Sequence, residues 1–366
     1  MYILRIILIP FSFLYGCIGA VRNYLYNAGL LHSKEFGIPV ICVGNLSAGG
    51  TGKTPQIEYL IRLISPLYSV ATLSRGYGRL SSGFRYAAQD SISTEVGDEP
   101  RQFKTRFPTI PVAVDEKRVH GIQQLLTDYP QLGIVLLDDA FQHRQVKPSL
   151  SIVLTDFESL YYKDRTLPSG TLREFQSGIH RAHIIVITKC PTTISPIEKR
   201  CIIGDIRPRP YQRVFFSTIR YGELVGINPN KENKKLPVID QQCTVMVVCG
   251  IANPTPLLNH IGTKTNKTIP LCFGDHHEYT MVELENIKRQ FESIPNHNKI
   301  IVTTEKDAMR LYKDGLNDIV ALLPIFYIPI QTDFLFKEGD IFDAQIIEHI
   351  EKTMHKNGES ARIRRA

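Results

Sequence analysis

The stretch Ser47-Ala48-Gly49-Gly50-Thr51-Gly52-Lys53-Thr54 constrains this chain more than any other. The apolar run Ile38-Pro39-Val40-Ile41-Cys42-Val43 leads into it, and a helical pattern from Pro55 through Leu63 follows. Strand, glycine-rich turn and helix, in that order, are the setting of a phosphate-binding loop. The residue types fit the chemistry. Glycines let backbone N–H groups converge on phosphate oxygens, and the first turn of the helix adds the positive end of its dipole. Lys53 is placed to reach the β- and γ-phosphates, and the Thr54 hydroxyl to ligate Mg²⁺. Pro55 suits a first helical turn, where its missing N–H costs nothing. Ser47 stands where most such loops begin with glycine. The plain alternative is a glycine-rich turn with a solvated lysine. The flanking pattern favours a nucleoside triphosphate site.

A chain of 366 residues exceeds an average domain, so two are expected. Hydrophobic residues at 43% and charged residues at 22% describe an ordinary globular protein. A formal net charge of +7 suits anionic partners such as nucleotides, lipid headgroups or nucleic acid, without choosing among them. The seven cysteines form no CxxC pair, and a nucleotide site implies a reducing cytosol, so free and mostly buried thiols are expected.

Residues Ile3 to Ala20 are strongly apolar, interrupted by Arg5 and Pro10, with Arg22, Tyr24 and Tyr26 beyond them. A membrane span needs roughly 20 apolar residues, which makes this run borderline. A signal peptide is also suggested by Arg5, but export would separate an ATP site from ATP. The favoured reading is a helix on the cytoplasmic leaflet with Arg22 and the tyrosines at the interface; a span and a buried core helix are the alternatives.

Further on, the strand-like run Ser69 to Leu73 feeds Ser74-Arg75-Gly76-Tyr77-Gly78-Arg79, and loops at the ends of parallel strands carry function in α/β sheets. Gly133 to Leu137 reads as a buried strand ending in Asp138-Asp139. Downstream of a phosphate loop, that is how a second Mg²⁺ ligand is presented. Thr188-Lys189-Cys190-Pro191 lies where guanine-reading enzymes place an aspartate, and Pro191 cannot pair with guanine, which favours adenine. The stretch from Gly226 to Leu236 reads as a linker, after which strand and helix patterns alternate again and a run from Ile325 to Ile330 closes a smaller unit. Asp275-His276-His277 lacks the spacing of a zinc site and suits acid–base or phosphate chemistry better.

Taken together these segments resemble the tetraacyldisaccharide 4′-kinase family of lipid A biosynthesis. The resemblance is carried by Gly44-Asn45 with Gly49 to Pro55, Ser74 to Arg79, Gly97-Asp98-Glu99-Pro100 and Asp138-Asp139-Ala140-Phe141-Gln142-His143. It continues in Leu172-Arg173-Glu174, Thr188-Lys189-Cys190, Phe273-x-Asp275-His276 and Thr304-x-Lys306-Asp307. It implies an α/β fold of two α/β/α domains, the larger a P-loop NTPase-like parallel sheet, plus an N-terminal membrane-associated helix. The expected division is 1–30 for that helix, 31–225 for the kinase domain, 226–240 for a linker, 241–350 for the smaller domain and 351–366 for a basic tail. The implied activity moves the γ-phosphate of ATP to the 4′-hydroxyl of a tetraacylated glucosamine disaccharide 1-phosphate, at the cytoplasmic face of a Gram-negative inner membrane. Under the resemblance, Ser47, Ala48, Gly49, Gly50, Thr51, Gly52, Lys53 and Thr54 bind ATP. Thr54, Asp138 and Asp139 support Mg²⁺, and Asp98 is the general base assisted by His276. Arg75, Arg79 and Arg173 are candidate clamps for the substrate's phosphate or for ATP. No nucleic acid and no obligate protein partner are implied. A membrane-surface ATPase switch is the rival, although Ala48 stands where such switches carry a signature lysine. A nucleic-acid-binding module fits less well, because the basic residues are dispersed.

Overall fold

The computed structural model describes residues 6–227, 237–275, 277–311 and 315–363. His276 and most of the expected linker lie outside the described residues. Strands β1 (Val40–Asn45), β2 (Val70–Ser74), β3 (Arg85–Tyr86), β4 (Val112–Val114), β5 (Ile134–Asp138), β6 (Leu150–Asp156), β7 (Ile184–Thr188) and β8 (Arg213–Tyr221) are followed by β9 (Val225–Gly226) and β10 (Thr244–Cys249). After them come β11 (Lys267–Cys272), β12 (Lys299–Thr304), β13 (Ile325–Ile328) and β14 (Ile330–Phe334). They form a nine-stranded sheet of order β14-β8-β7-β6-β1-β5-β2-β4-β3 and a five-stranded sheet of order β11-β10-β12-β13-β9. Each is parallel except at β14 and β3 on the larger sheet and β9 on the smaller.

Strand β1 is central and buried along its whole length. Because side chains alternate across a strand, Val40 and Cys42 enter one core while Ile41 and Val43 enter the other. Both faces are covered, so the strand reads as a continuous apolar run. Helix Lys53–Ile64 sends Ile57 and Ile61 into the second of these cores. Helix Arg118–Asp128 sends Ile122 and Leu125 into the first. The smaller sheet is packed on both sides in the same way, by Leu284 and Ile287 on one face and Leu257 and Ile261 on the other.

The chain crosses from the larger sheet to the smaller between β8 and β9, and returns between β13 and β14 through Pro329. The Gly222 N–H donates to the Pro329 carbonyl at 2.8 Å, tying the two crossings together. The return corrects the expected boundary at 350. Pro329 interrupts the run that reads as one strand, and β14 pairs antiparallel with β8. Helix Gly339–Ile363 then buries Phe342, Ile346 and Ile350 beside Ile57 and Ile61, so much of the expected tail is helix. The phenyl rings of Phe334 and Phe342 stack at 4.3 Å. All seven cysteines are free thiols, and most are buried.

Helix Ile9–Asn27 lies against the larger sheet's loops by its small and polar residues. The Ser12 carbonyl accepts from the Thr166 hydroxyl at 2.7 Å, and its Oγ accepts from the Ser169 N–H at 2.8 Å. Gly16 faces the Phe175 ring so closely that any Cβ would collide with it. On the far face, Phe11, Leu14, Ile18 and Val21 are each 60–63% exposed. Their spacing is one apolar stripe of a helix. That exposure rules out the buried core helix, and among the described residues no helix is long and apolar enough to cross a membrane.

If helix Gly339–Ile363 is part of the core, Phe342→Ala should lower stability by about 3–5 kcal/mol. Urea unfolding of the purified protein measures this, and an unchanged midpoint would make the helix a peripheral appendage.

Candidate active site

The glycine-rich loop grows directly out of β1. Asn45, fully buried at the strand's end, donates through Nδ2 to Thr51 Oγ1 at 2.9 Å and to the Gly49 carbonyl at 3.4 Å. Its Oδ1 accepts from Lys53 Nζ at 3.4 Å. Gly52 precedes helix Lys53–Ile64 with φ +85°, a left-handed conformation that a residue with Cβ adopts only with strain. Neighbouring segments hold the loop from outside. The Ala48 N–H donates to the Thr171 carbonyl at 2.7 Å, and the Thr188 hydroxyl to the Thr51 carbonyl at 2.8 Å. Lys189 Nζ reaches the Gly50 carbonyl at 2.5 Å and Asp156 at 2.7 Å. Thr188 and Lys189, which stand where guanine-reading enzymes carry their motif, thus brace the glycine-rich loop.

Strand β5 pairs with β1 and delivers Asp138 and Asp139 beside it. Asp138 is buried, and its Oδ1 has no hydrogen-bond partner among the described residues. Burial, then the neighbouring Asp139 charge, push its pKa up to about 7, with Lys53 opposing. Burial also works against ionisation of Asp139, but Lys53 at 3.6 Å and Arg173 at 2.8 Å outweigh it and hold that group below the usual carboxylate range. A buried carboxylate oxygen without a donor is chemically suited to a cation. Among the described residues, no three His, Cys, Asp or Glu side chains group as metal ligands. Of the two aspartates, Asp138 keeps an oxygen open to a cation, whereas Asp139 is held by Lys53 and Arg173.

Asp98 opens helix Asp98–Arg106, and its Oδ2 accepts from Arg310 Nε at 3.0 Å and Nη2 at 2.5 Å. The next residue, Glu99, pairs with Lys306 at 2.6 Å. Burial opposes the Glu99 charge, yet Lys306 holds its pKa below the usual range. Both charges of this pair are felt at Asp138. Arg310 and Lys306 belong to helix Glu305–Leu311 of the smaller sheet, so two helices meet across the seam. Arg101 donates to the Met309 carbonyl, and Arg106 joins Glu58 to Glu305.

The three candidate arginines part company. Arg173 sits on Asp139. Arg75 is exposed, near Arg118 and His143. Arg79 turns inward to Glu116 and to the Gly83 carbonyl at 2.8 Å. Arg310 and the buried Arg118 drew no notice in the sequence, and Lys306 was noticed as part of a motif without a role.

A glycine-rich loop between a central parallel strand and a helix, with paired carboxylates at the end of the adjacent strand, is set in a mixed α/β fold. The family profile described as LpxK, tetraacyldisaccharide-1-P 4′-kinase, matches residues 4–351, and the chain belongs to this family. Its sequence is 43% identical over 363 residues to the tetraacyldisaccharide 4′-kinase of Bacteroides thetaiotaomicron, covering 97% of this chain and 96% of that one. It is 42% identical over 355 residues to that of Flavobacterium johnsoniae, covering 97% and 99%. The crystal structure of LpxK from Aquifex aeolicus in complex with ATP is similar at a TM-score of 0.71 and 28% identity, over 95% of this chain and 99% of that one.

Glu305 at the seam supplies a pH test. Burial and then the Glu58 charge raise its pKa from 4.5 to about 7, with Arg106 opposing. Across that window the folded chain holds a proton that the unfolded chain has released, so this group makes stability fall as pH rises. Urea midpoints at about pH 5 and about pH 7.5 should therefore differ less in Glu305→Gln than in the parent. An equal difference in both would locate the proton elsewhere.

Proposed function

We propose that this chain is an ATP-dependent kinase that phosphorylates the 4′-hydroxyl of a tetraacylated glucosamine disaccharide 1-phosphate in lipid A biosynthesis. Family membership over nearly the whole length carries the reading. The loop N–H groups and Lys53 would hold the β- and γ-phosphates, and Thr54, Asp138 and Asp139 would hold Mg²⁺. A bound Mg²⁺ supplies charge neutralisation for the phosphoryl group. Phosphoryl transfer asks the protein mainly for positioning and charge stabilisation. Lys53 and Arg173 serve this by fixing Asp139 from two sides. Asp98 is the general base in this reading, with His276 assisting. The two sheets then form the cores of two domains whose closure excludes water and suppresses hydrolysis of ATP.

The same reading puts helix Ile9–Asn27 on the cytoplasmic face of the inner membrane. Its support is the exposed apolar stripe opposite a docked polar face, the pattern of a helix that lies in an interface. The excess of basic residues suits anionic headgroups.

With ATP labelled at its γ-phosphate and the disaccharide acceptor, label should pass into lipid. Lys53→Ala should keep the fold and lose about 10²–10³-fold in kcat, the cost of one preorganised donor to developing charge. Release of labelled phosphate with no labelled lipid would make the protein an ATPase switch.

Replacing Phe11, Leu14 and Ile18 together by serine should shift the protein from anionic phospholipid vesicles into solution. It should also raise KM for the lipid more than KM for ATP. Unchanged vesicle partitioning would remove the stripe's role.

A further inference from the structure

Arg310 ends a chain of fixed groups that begins in the smaller sheet. Thr304, at the end of β12, accepts from the Asp307 N–H at 3.1 Å and donates to Asp307 Oδ2 at 2.6 Å. Asp307 is fully buried, and its Oδ2 also accepts from the Gly250 N–H just beyond β10, at 3.0 Å. Arg310 Nη1 then donates to Asp307 Oδ1 and to the Gly250 carbonyl, each at 3.2 Å. The Arg310 side chain is only 1% exposed, and its two remaining nitrogens both point at Asp98 Oδ2. Exposed ion pairs contribute little, since two mobile side chains must be ordered to form them. Here the guanidinium fork is already held on one side by the smaller sheet, so what it grips on the other side is oriented.

We propose that Arg310 is a positioning residue for phosphoryl transfer: from the smaller sheet it fixes one oxygen of Asp98 and thereby sets where the other oxygen points. The orientation of the base then depends on the two sheets being together. The inference rests on the reading of Asp98 as general base.

Two effects of Arg310 oppose each other. A guanidinium on a carboxylate lowers its proton affinity, which weakens a base. It also removes misorientation, and a displacement of about 1 Å at a reacting group can cost about 10²-fold. Phosphoryl transfer passes through a loose transition state that demands little of the nucleophile's bonding, so orientation outweighs basicity. The sign of the mutational effect decides between them. If lost basicity dominated, removing Arg310 would speed the reaction.

The test uses the full chain in detergent micelles with ATP and the disaccharide acceptor. Arg310→Ala should lower kcat about 10–100-fold while KM for ATP stays within about threefold. Arg310→Lys should recover part of the loss, because an ammonium can still hold one oxygen. Asp98→Asn should be slow alone, and adding Arg310→Ala to it should cost nothing more, since residues acting as a unit are non-additive. Parental or faster turnover in Arg310→Ala, with Asp98→Asn still slow, overturns the positioning role and leaves the base standing. A double variant much slower than Asp98→Asn overturns the route through Asp98. Full turnover in Asp98→Asn overturns the base and this inference with it. Should Arg310→Ala fail to fold, Arg310→Gln keeps a donor for the Gly250 carbonyl and carries the same expectation; parental turnover there overturns the proposal.

Discussion

A carboxylate taken out of water costs several kcal/mol unless a cation or hydrogen-bond donors answer it. The seam between the two sheets is arranged around that requirement. Asp98 is answered by Arg310, Glu99 by Lys306, and Glu58 with Glu305 by Arg106. The answers are unequal. Lys306 keeps Glu99 ionised against its burial, whereas burial of Glu58 and Glu305 outweighs their shared arginine and raises both. Asp138 differs from all four: its buried Oδ1 has no donor among the described residues. A buried carboxylate oxygen without a donor, beside the glycine-rich loop, is open to a cation.

The phosphate loop depends on the same logic applied to neutral groups. Its carbonyls face the protein and need donors. Thr188 and Lys189 accept that burden for Thr51 and Gly50, and Asn45 for Gly49. These partners come from β7, from the residue after it, and from β1. The loop's shape is thus set by the order of strands in the sheet, before any nucleotide arrives. Preorganised donors of this kind need no rearrangement when charge develops.

Much of this was legible in the sequence, for reasons that can be stated. Val40 to Asn45 and Ile134 to Asp138 are apolar over their whole length because both faces are covered, so strand, loop and acidic pair stood out. Glycine marks the left-handed turn at Gly52. The return of β14 was hidden because Ile330 continues the apolar run of β13, and Gln331 and Asp333 give the rest the look of a surface loop. Helix Gly339–Ile363 was hidden by its charges, which sit among Phe342, Ile346 and Ile350 at helical spacing. Arg310 was illegible for a different cause. Its partner Asp98 lies far away in sequence on the other sheet, and a lone arginine on a short helix reads as a solvated charge. The Arg79 contact was illegible for a similar cause, since no local pattern announces its partner Glu116.

The helix Ile9–Asn27 connects these arguments. Ser12 bonds to Thr166 and Ser169, Asn23 donates to Glu174 Oε2 at 2.8 Å, and Gly16 meets Phe175, so the helix rests on segment 166–175, with further bonds from Arg22, Asn23 and Asn27 to the turn 142–144. That segment is also the outer wall of the phosphate loop. Its Thr171 carbonyl holds the Ala48 N–H, Leu172 forms a bridge with Ser47, and Arg173 fixes Asp139. Loop and helix therefore share one rigid support. The apolar stripe points away from that support, so a lipid surface can cover Phe11, Leu14 and Ile18 without disturbing a contact that shapes the loop. Were the helix docked by its apolar face instead, membrane binding would compete with the fold. With Ser12 and Gly16 on the docked face, the contacts that hold the segment beside the loop and the exposed apolar stripe lie on opposite sides of one helix.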